Sequence, residues 1–168
     1  PKALRRNFAL HSFGKVTRDI TQSYVANQLG HHQMADPRVQ ERLARYQISN
    51  PEVDLSKPQK TSHGLFWYNL HLVLVHDQRW NEVRDEALRK IRGMIEKSAK
   101  AKGYLLAEAG ILPDHVHLLL ACPFAESPES VALGFLNNLA FAQGMKRVYQ
   151  FGGYVGTVGE YTFHAVTD

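Results

Sequence analysis

Residues 113–122 read Pro-Asp-His-Val-His-Leu-Leu-Leu-Ala-Cys, and the stretch alternates from His115 to Leu118 between polar and aliphatic side chains. Successive side chains on a strand point to opposite faces, so His115 and His117 share one face while Val116, Leu118 and Leu120 share the other. At roughly 3.3 Å per residue the two rings stand about 7 Å apart, near enough to lean onto one divalent cation. Asp114 after proline is a turn residue. A second stretch repeats the parity: Asn69 and His71 alternate with Leu70, Leu72 and Leu74. Two such strands constrain the fold strongly, because each needs an apolar layer on one side only. Asn69, His71, His115 and His117 are therefore expected to line the open face of a sheet.

The flanking segments supply the missing layer. Leu65–Val75 is a long aromatic and aliphatic strand. Asn81–Lys102 is an amphipathic helix with Leu88, Ile91, Ile95 and Ala99 inward, and Gly103 ends it. Tyr104–Leu112 and His115–Cys122 are strands joined at Pro113-Asp114. Ser127-Pro128 caps a helix that runs to about Tyr149, with Val131, Phe135, Leu139 and Ala142 on one side. Tyr154–Val158 is a last strand, and a third helix begins at Glu160. The order strand, helix, strand, strand, helix, strand predicts an α+β, ferredoxin-like βαββαβ fold, an antiparallel sheet with helices on one face. Residues 1–63 form a helical N-terminal extension, and 64–168 the principal domain. In the extension one helix spans about Thr17–Leu29, with Ile20, Tyr24 and Leu29 on its apolar side. Another follows Asp36-Pro37 and carries Val39, Leu43 and Tyr46.

Composition narrows the functional classes. With 168 residues and 44% hydrophobic content the chain fits one domain with an appendage and is not a disordered protein. One cysteine, Cys122, excludes an internal disulfide framework and suits a reducing cytoplasm. No stretch is apolar for long enough to span a bilayer. A net charge of +4 and a pI near 9.3 admit a polyanionic partner without requiring one. Read without context, the histidine pair is either a metal site or two buried rings bonded to carbonyls, and His31-His32 is a solvated pair.

Three segments resemble one family. Pro113–Leu119 resembles the His-hydrophobic-His signature of the single-tyrosine (HUH) transposases of small insertion sequences and their REP-associated relatives. Tyr68-Asn69-Leu70-His71-Leu72-Val73 is similar to that family's first strand, and Phe151–Gly159 to the segment before its catalytic helix. The resemblance covers about residues 65–166 and implies nicking and strand transfer on single-stranded DNA, often beside a hairpin. It implies a tyrosine nucleophile, a 5′-phosphotyrosine link and a homodimer in the bacterial cytoplasm. His115 and His117 would hold Mg²⁺ or Mn²⁺, and Asn69, His71, Lys146 and Arg147 would contact DNA.

The chain departs from the pattern at its end. The family's tyrosine lies on the helix after the last strand, with a metal-binding glutamine four residues later. Tyr161 is the candidate nucleophile, but four positions on stands Ala165, which cannot bind metal. The expected helix would extend past Asp168. Two alternatives follow: a domesticated, cleavage-deficient hairpin-binding protein, or a small metal-dependent phosphoesterase.

Overall fold

The computed structural model describes residues 8–12, 14–145 and 153–162. Its main sheet contains β5 (Asn69–Val75), β6 (Leu105–Ile111), β7 (His115–Ala121) and β8 (Tyr154–Val158), with the two-residue β2 (Ile48–Ser49) on one edge. The strands lie in the order β2-β6-β7-β5-β8, all neighbours antiparallel. Helix α4 (Asp85–Lys102) connects β5 to β6, and α5 (Pro128–Ala142) connects β7 to β8. This is the ferredoxin-like βαββαβ arrangement expected from the sequence.

Each helix stops and starts where its chemistry dictates. Asp85 and Glu86 place negative charge in the first turn of α4. Its end is Gly103 in the left-handed conformation at φ 68°, which a residue lacking Cβ adopts without strain. At α5 the Ser127 hydroxyl accepts from the Ser130 N–H at 3.1 Å, and Pro128 occupies the first turn, where its missing N–H costs nothing. Leu88, Ile91 and Ile95 of α4 and Val131, Phe135 and Leu139 of α5 pack on Leu70, Leu72, Leu74, Val116, Leu118 and Leu120. That is the aliphatic face the alternation predicts.

The opposite face is covered, not open. Helix α1 (Arg18–Ala26), followed by the single turn α2 (Gln28–His31), lies across β6 and β7. Val25 forms a second, smaller core there with Leu55, Ala107, Leu119, Ala121 and Val158. The expectation that Ile20 and Tyr24 face inward is corrected: Ile20 is 58% and Tyr24 42% exposed, while Thr21, Val25 and Gln28 are buried. Positions 21, 25 and 28 form a helical stripe of their own. The stripe sets one apolar side chain, Val25, between two polar ones, Thr21 and Gln28.

Residues before 64 enter the rest of the fold at further points. α3 (Pro37–Ala44) begins with the Asp36 carboxylate accepting from the Arg38 N–H at 2.9 Å. It delivers Leu43 to the main core, alongside Tyr46 and Ile48. β1 (Phe8–His11) pairs in parallel with β4 (Gly64–Trp67), and β3 (Gln59–Lys60) pairs with β4 on its other edge. The single strand expected over 65–75 is thus two, β4 and β5, in different sheets. They break at Tyr68, whose carbonyl accepts from Cys122 N–H at 3.0 Å.

Of the helix expected from Glu160 only residues 160–162 are described, and 163–168 lie outside the described residues. Gly159 and Thr162 form bridges to Thr17 and Gly14, and the Arg18 N–H donates to the Gly159 carbonyl at 2.7 Å. Those backbone groups are engaged by the amino-terminal segment and do not start a helical turn. Among the described residues no helix is long and apolar enough to cross a membrane.

Candidate metal centre

The alternation of β5 and β7 places three imidazoles together beneath α1. His71, His115 and His117 are 8, 6 and 4% exposed. Across the strand pair His71 Nε2 lies 3.0 Å from His117 Nδ1. His115 Nδ1 lies 2.6 Å from Asp114 Oδ1, whose other oxygen meets Arg79 Nε at 3.3 Å. The His115 and His117 ring centroids are 5.0 Å apart.

Burial governs the protonation of this cluster. It holds His71 down to about 4 and His117 down to about 3, the latter helped by the neighbouring imidazoles. His115 is lowered by burial against the opposing pull of Asp114. Burial alone would raise Asp114, but His115 and Arg79 hold its carboxyl below the usual range. Neutral imidazole is the form that binds a cation.

The pair fits a divalent metal. Each Nδ1 is held by a partner, which fixes the ring and leaves Nε2 of both without a hydrogen bond among the described residues. Such outer bonds are the usual support of a histidine ligand. Among the described residues, however, no three His, Cys, Asp or Glu side chains form a ready metal site. Other groups stand close. His32 is 5.3 Å from His115 between ring centroids, and Tyr24 is 5.6 Å from His117 and 6.3 Å from His71. A pocket of about 320 Å³, lined by Val16, Ile20, Thr21, Tyr24, His71 and Tyr154, opens beside them.

With this geometry in place, residues 65–139 match the family described as Transposase IS200 like. That match spans a little under half of the chain. A candidate transposase from Deinococcus radiodurans R1 shares the fold at 19% identity and a TM-score of 0.52, over 65% of this chain and 93% of its own. A REP-associated tyrosine transposase bound to a REP hairpin is 15% identical at a TM-score of 0.46, over 60% of this chain and 61% of its own. No curated protein matches the chain.

The residues singled out from sequence have different surroundings. His71, His115 and His117 converge. Asn69 is 2% exposed and gives its amide to the Leu55 carbonyl at 3.3 Å. Tyr161 is 53% exposed beyond β8, and no described ring contact or hydrogen bond joins it to the histidines. Lys146 and Arg147 lie outside the described residues. Sequence reading assigned Tyr24 to helix packing and His31-His32 to solvent, and passed over Gln28. The clustering of Tyr24, Gln28, His31 and His32 within nine positions was the available signal.

Proposed function

We propose that this chain nicks and rejoins single-stranded DNA through a 5′-phosphotyrosine intermediate, using Mg²⁺ or Mn²⁺ held by His115 and His117. The observation that carries this reading is the pair itself, two neutral imidazoles whose Nδ1 atoms are engaged behind them. A cation bound there supplies charge to a scissile phosphate and to the oxygen leaving it. Imidazole suits Mn²⁺ better than the harder Mg²⁺, so an oxygen ligand is expected to complete the set.

Around that centre, residues 64–168 are the catalytic domain and 1–63 its extension. DNA reaches the histidines through the pocket bordered by His71, with Lys146 and Arg147 as phosphate contacts. A hairpin-bearing strand in the cytoplasm is the substrate, and the working unit is a homodimer. The nucleophile is a tyrosine, and Tyr161 is the one that sequence position favours.

The test mixes the protein with end-labelled single-stranded DNA carrying a hairpin, plus Mn²⁺, followed by denaturing electrophoresis. A labelled protein band that disappears in His115→Ala is the expected result. Hairpin binding without any adduct would instead support a cleavage-deficient binding protein. Turnover of small phosphate esters with no preference for DNA would support a phosphoesterase.

A further inference from the structure

The third ligand and the nucleophile are both absent from the strand pair, and α1 and α2 place one group of each kind above it. Gln28 is fully buried. Its Nε2 donates to the Tyr24 carbonyl at 2.9 Å, which fixes the other terminal atom as oxygen, since only the amide nitrogen can donate. That oxygen, Oε1, is buried with no hydrogen-bond partner among the described residues. An acceptor left in that state costs free energy unless something else satisfies it.

Its position says what that something is. A Cβ placed on Gly110 would lie 2.9 Å from Gln28 Cγ. Gly110 is the cross-strand partner of His117, and residues directly opposite on antiparallel strands share a face. Gln28 therefore packs on the His117 side of the sheet, at the one β6 position where a missing side chain lets it approach. Tyr24, one helical turn earlier, sets its ring edge-on to both His117 and His71. It keeps 42% of its surface open, beside the pocket that borders His71.

We infer that the amino-terminal helix completes this centre, Gln28 Oε1 as the third metal ligand and Tyr24 Oη as the nucleophile. The inference rests on the reading proposed above. An amide oxygen is the hard ligand that two imidazoles lack for Mg²⁺ or Mn²⁺. In the reaction Tyr24 Oη forms a bond to phosphorus and the P–O3′ bond breaks. The 3′ oxygen leaves as a hydroxyl, taking up a proton in place of the one Tyr24 gives up. Tyrosine and glutamine four residues apart is also the spacing that the family resemblance leads one to expect at the other end of the domain. Here it arrives from before the first strand of the βαββαβ unit.

Two measurements test this. Mn²⁺ binding by isothermal titration compares the parent with His115→Ala, Gln28→Leu and Gln28→Glu, circular dichroism confirming that each is folded. Leucine fills similar space without an oxygen and is expected to weaken binding by roughly 10-fold or more, while glutamate, which keeps one, retains it. A purely structural Gln28 would disturb both variants or neither. Peptide mapping of the DNA adduct is expected to locate Tyr24, and Tyr24→Phe to abolish the adduct. Unchanged Mn²⁺ affinity in Gln28→Leu overturns the ligand assignment. An adduct that survives Tyr24→Phe, or metal binding with no adduct at all, overturns the nucleophile. Failure of the parent to bind Mn²⁺, or equal binding by His115→Ala, overturns the metal reading beneath them.

Discussion

His71 and His117 sit on neighbouring antiparallel strands with Nε2 and Nδ1 3.0 Å apart, both buried and both neutral at pH 7. Two neutral imidazoles can share a hydrogen bond only as complementary tautomers, one donating and the other accepting. If His117 binds a cation through Nε2, its proton resides on Nδ1 and His71 must accept. The bond then sets the tautomer that the metal needs, which makes His71 a positioning residue in the proposed centre.

His71→Ala is accordingly expected to weaken Mn²⁺ affinity by roughly 10- to 100-fold while His115 and His117 remain. His71→Gln, which can still offer an acceptor, should recover part of the loss. Titration calorimetry on the two variants checks this. Equal affinity in parent and His71→Ala would reduce the hydrogen bond to a packing contact.

At Gly110 the α1–α2 segment comes close to the sheet. An added Cβ would meet Gln28 Cγ at 2.9 Å, Gln28 Cβ at 3.1 Å and the Val25 carbonyl at 3.3 Å. Backbone and the stem of a buried side chain cannot swing aside as an exposed side-chain tip can. Gly110→Ala is expected to lower stability by about 1–3 kcal/mol and to raise hydrogen exchange in residues 18–31, with α4 and α5 little changed. Denaturant titration and amide exchange read the two effects separately.

The sheet was legible because its signal is periodic. Leu70, Leu72, Leu74, Val116, Leu118 and Leu120 announce a packed face by position alone, and α4 and α5 announce the stripes that cover it. The second layer was not legible in the same way. Thr21, Val25 and Gln28 carry little hydrophobic contrast, whereas Ile20 and Tyr24 look like an inward face and are exposed. A helix that covers polar residues needs a polar underside, and periodicity of hydrophobicity cannot see one. The backbone pairing at residues 159–162 was hidden for a similar reason. Its backbone partners, Gly14, Thr17 and Arg18, lie about 140 residues earlier, and nothing local signals them.

Glu82 joins the start of α4 to the turn that carries His115. Its side chain is 2% exposed and accepts from Arg84 N–H at 2.7 Å, Nε at 3.0 Å and Nη2 at 2.6 Å, while its own N–H donates to the Pro113 carbonyl at 2.7 Å. Burial would raise this carboxyl, but the Arg84 bonds and charge outweigh it and hold it below its usual 4.5. A depressed carboxylate contributes stability above its unfolded pKa, and that contribution is lost as pH falls through the folded value. Glu82→Gln is therefore expected to lower the melting temperature at pH 7, with the difference from the parent shrinking below about pH 4.5. Thermal melts across pH 3–7 check this, and a pH-independent difference would count against the ion pair.

Asp114 separates two roles that one side chain combines. One oxygen accepts from His115 Nδ1 at 2.6 Å, and the other meets Arg79 at 3.3 Å. Asp114→Asn keeps an oxygen acceptor and the turn-forming shape but removes the charge, whereas Asp114→Ala removes the acceptor too. If orientation of His115 is what matters for the proposed centre, Asp114→Asn should hold Mn²⁺ within a few-fold of the parent, and Asp114→Ala should lose roughly 10-fold or more. If the carboxylate acts by its charge, making His115 a stronger donor to the cation, the two variants should fall together. Binding isotherms for the pair decide between these, and proteins that bind as tightly as the parent in both cases would mean that Asp114 serves the turn alone.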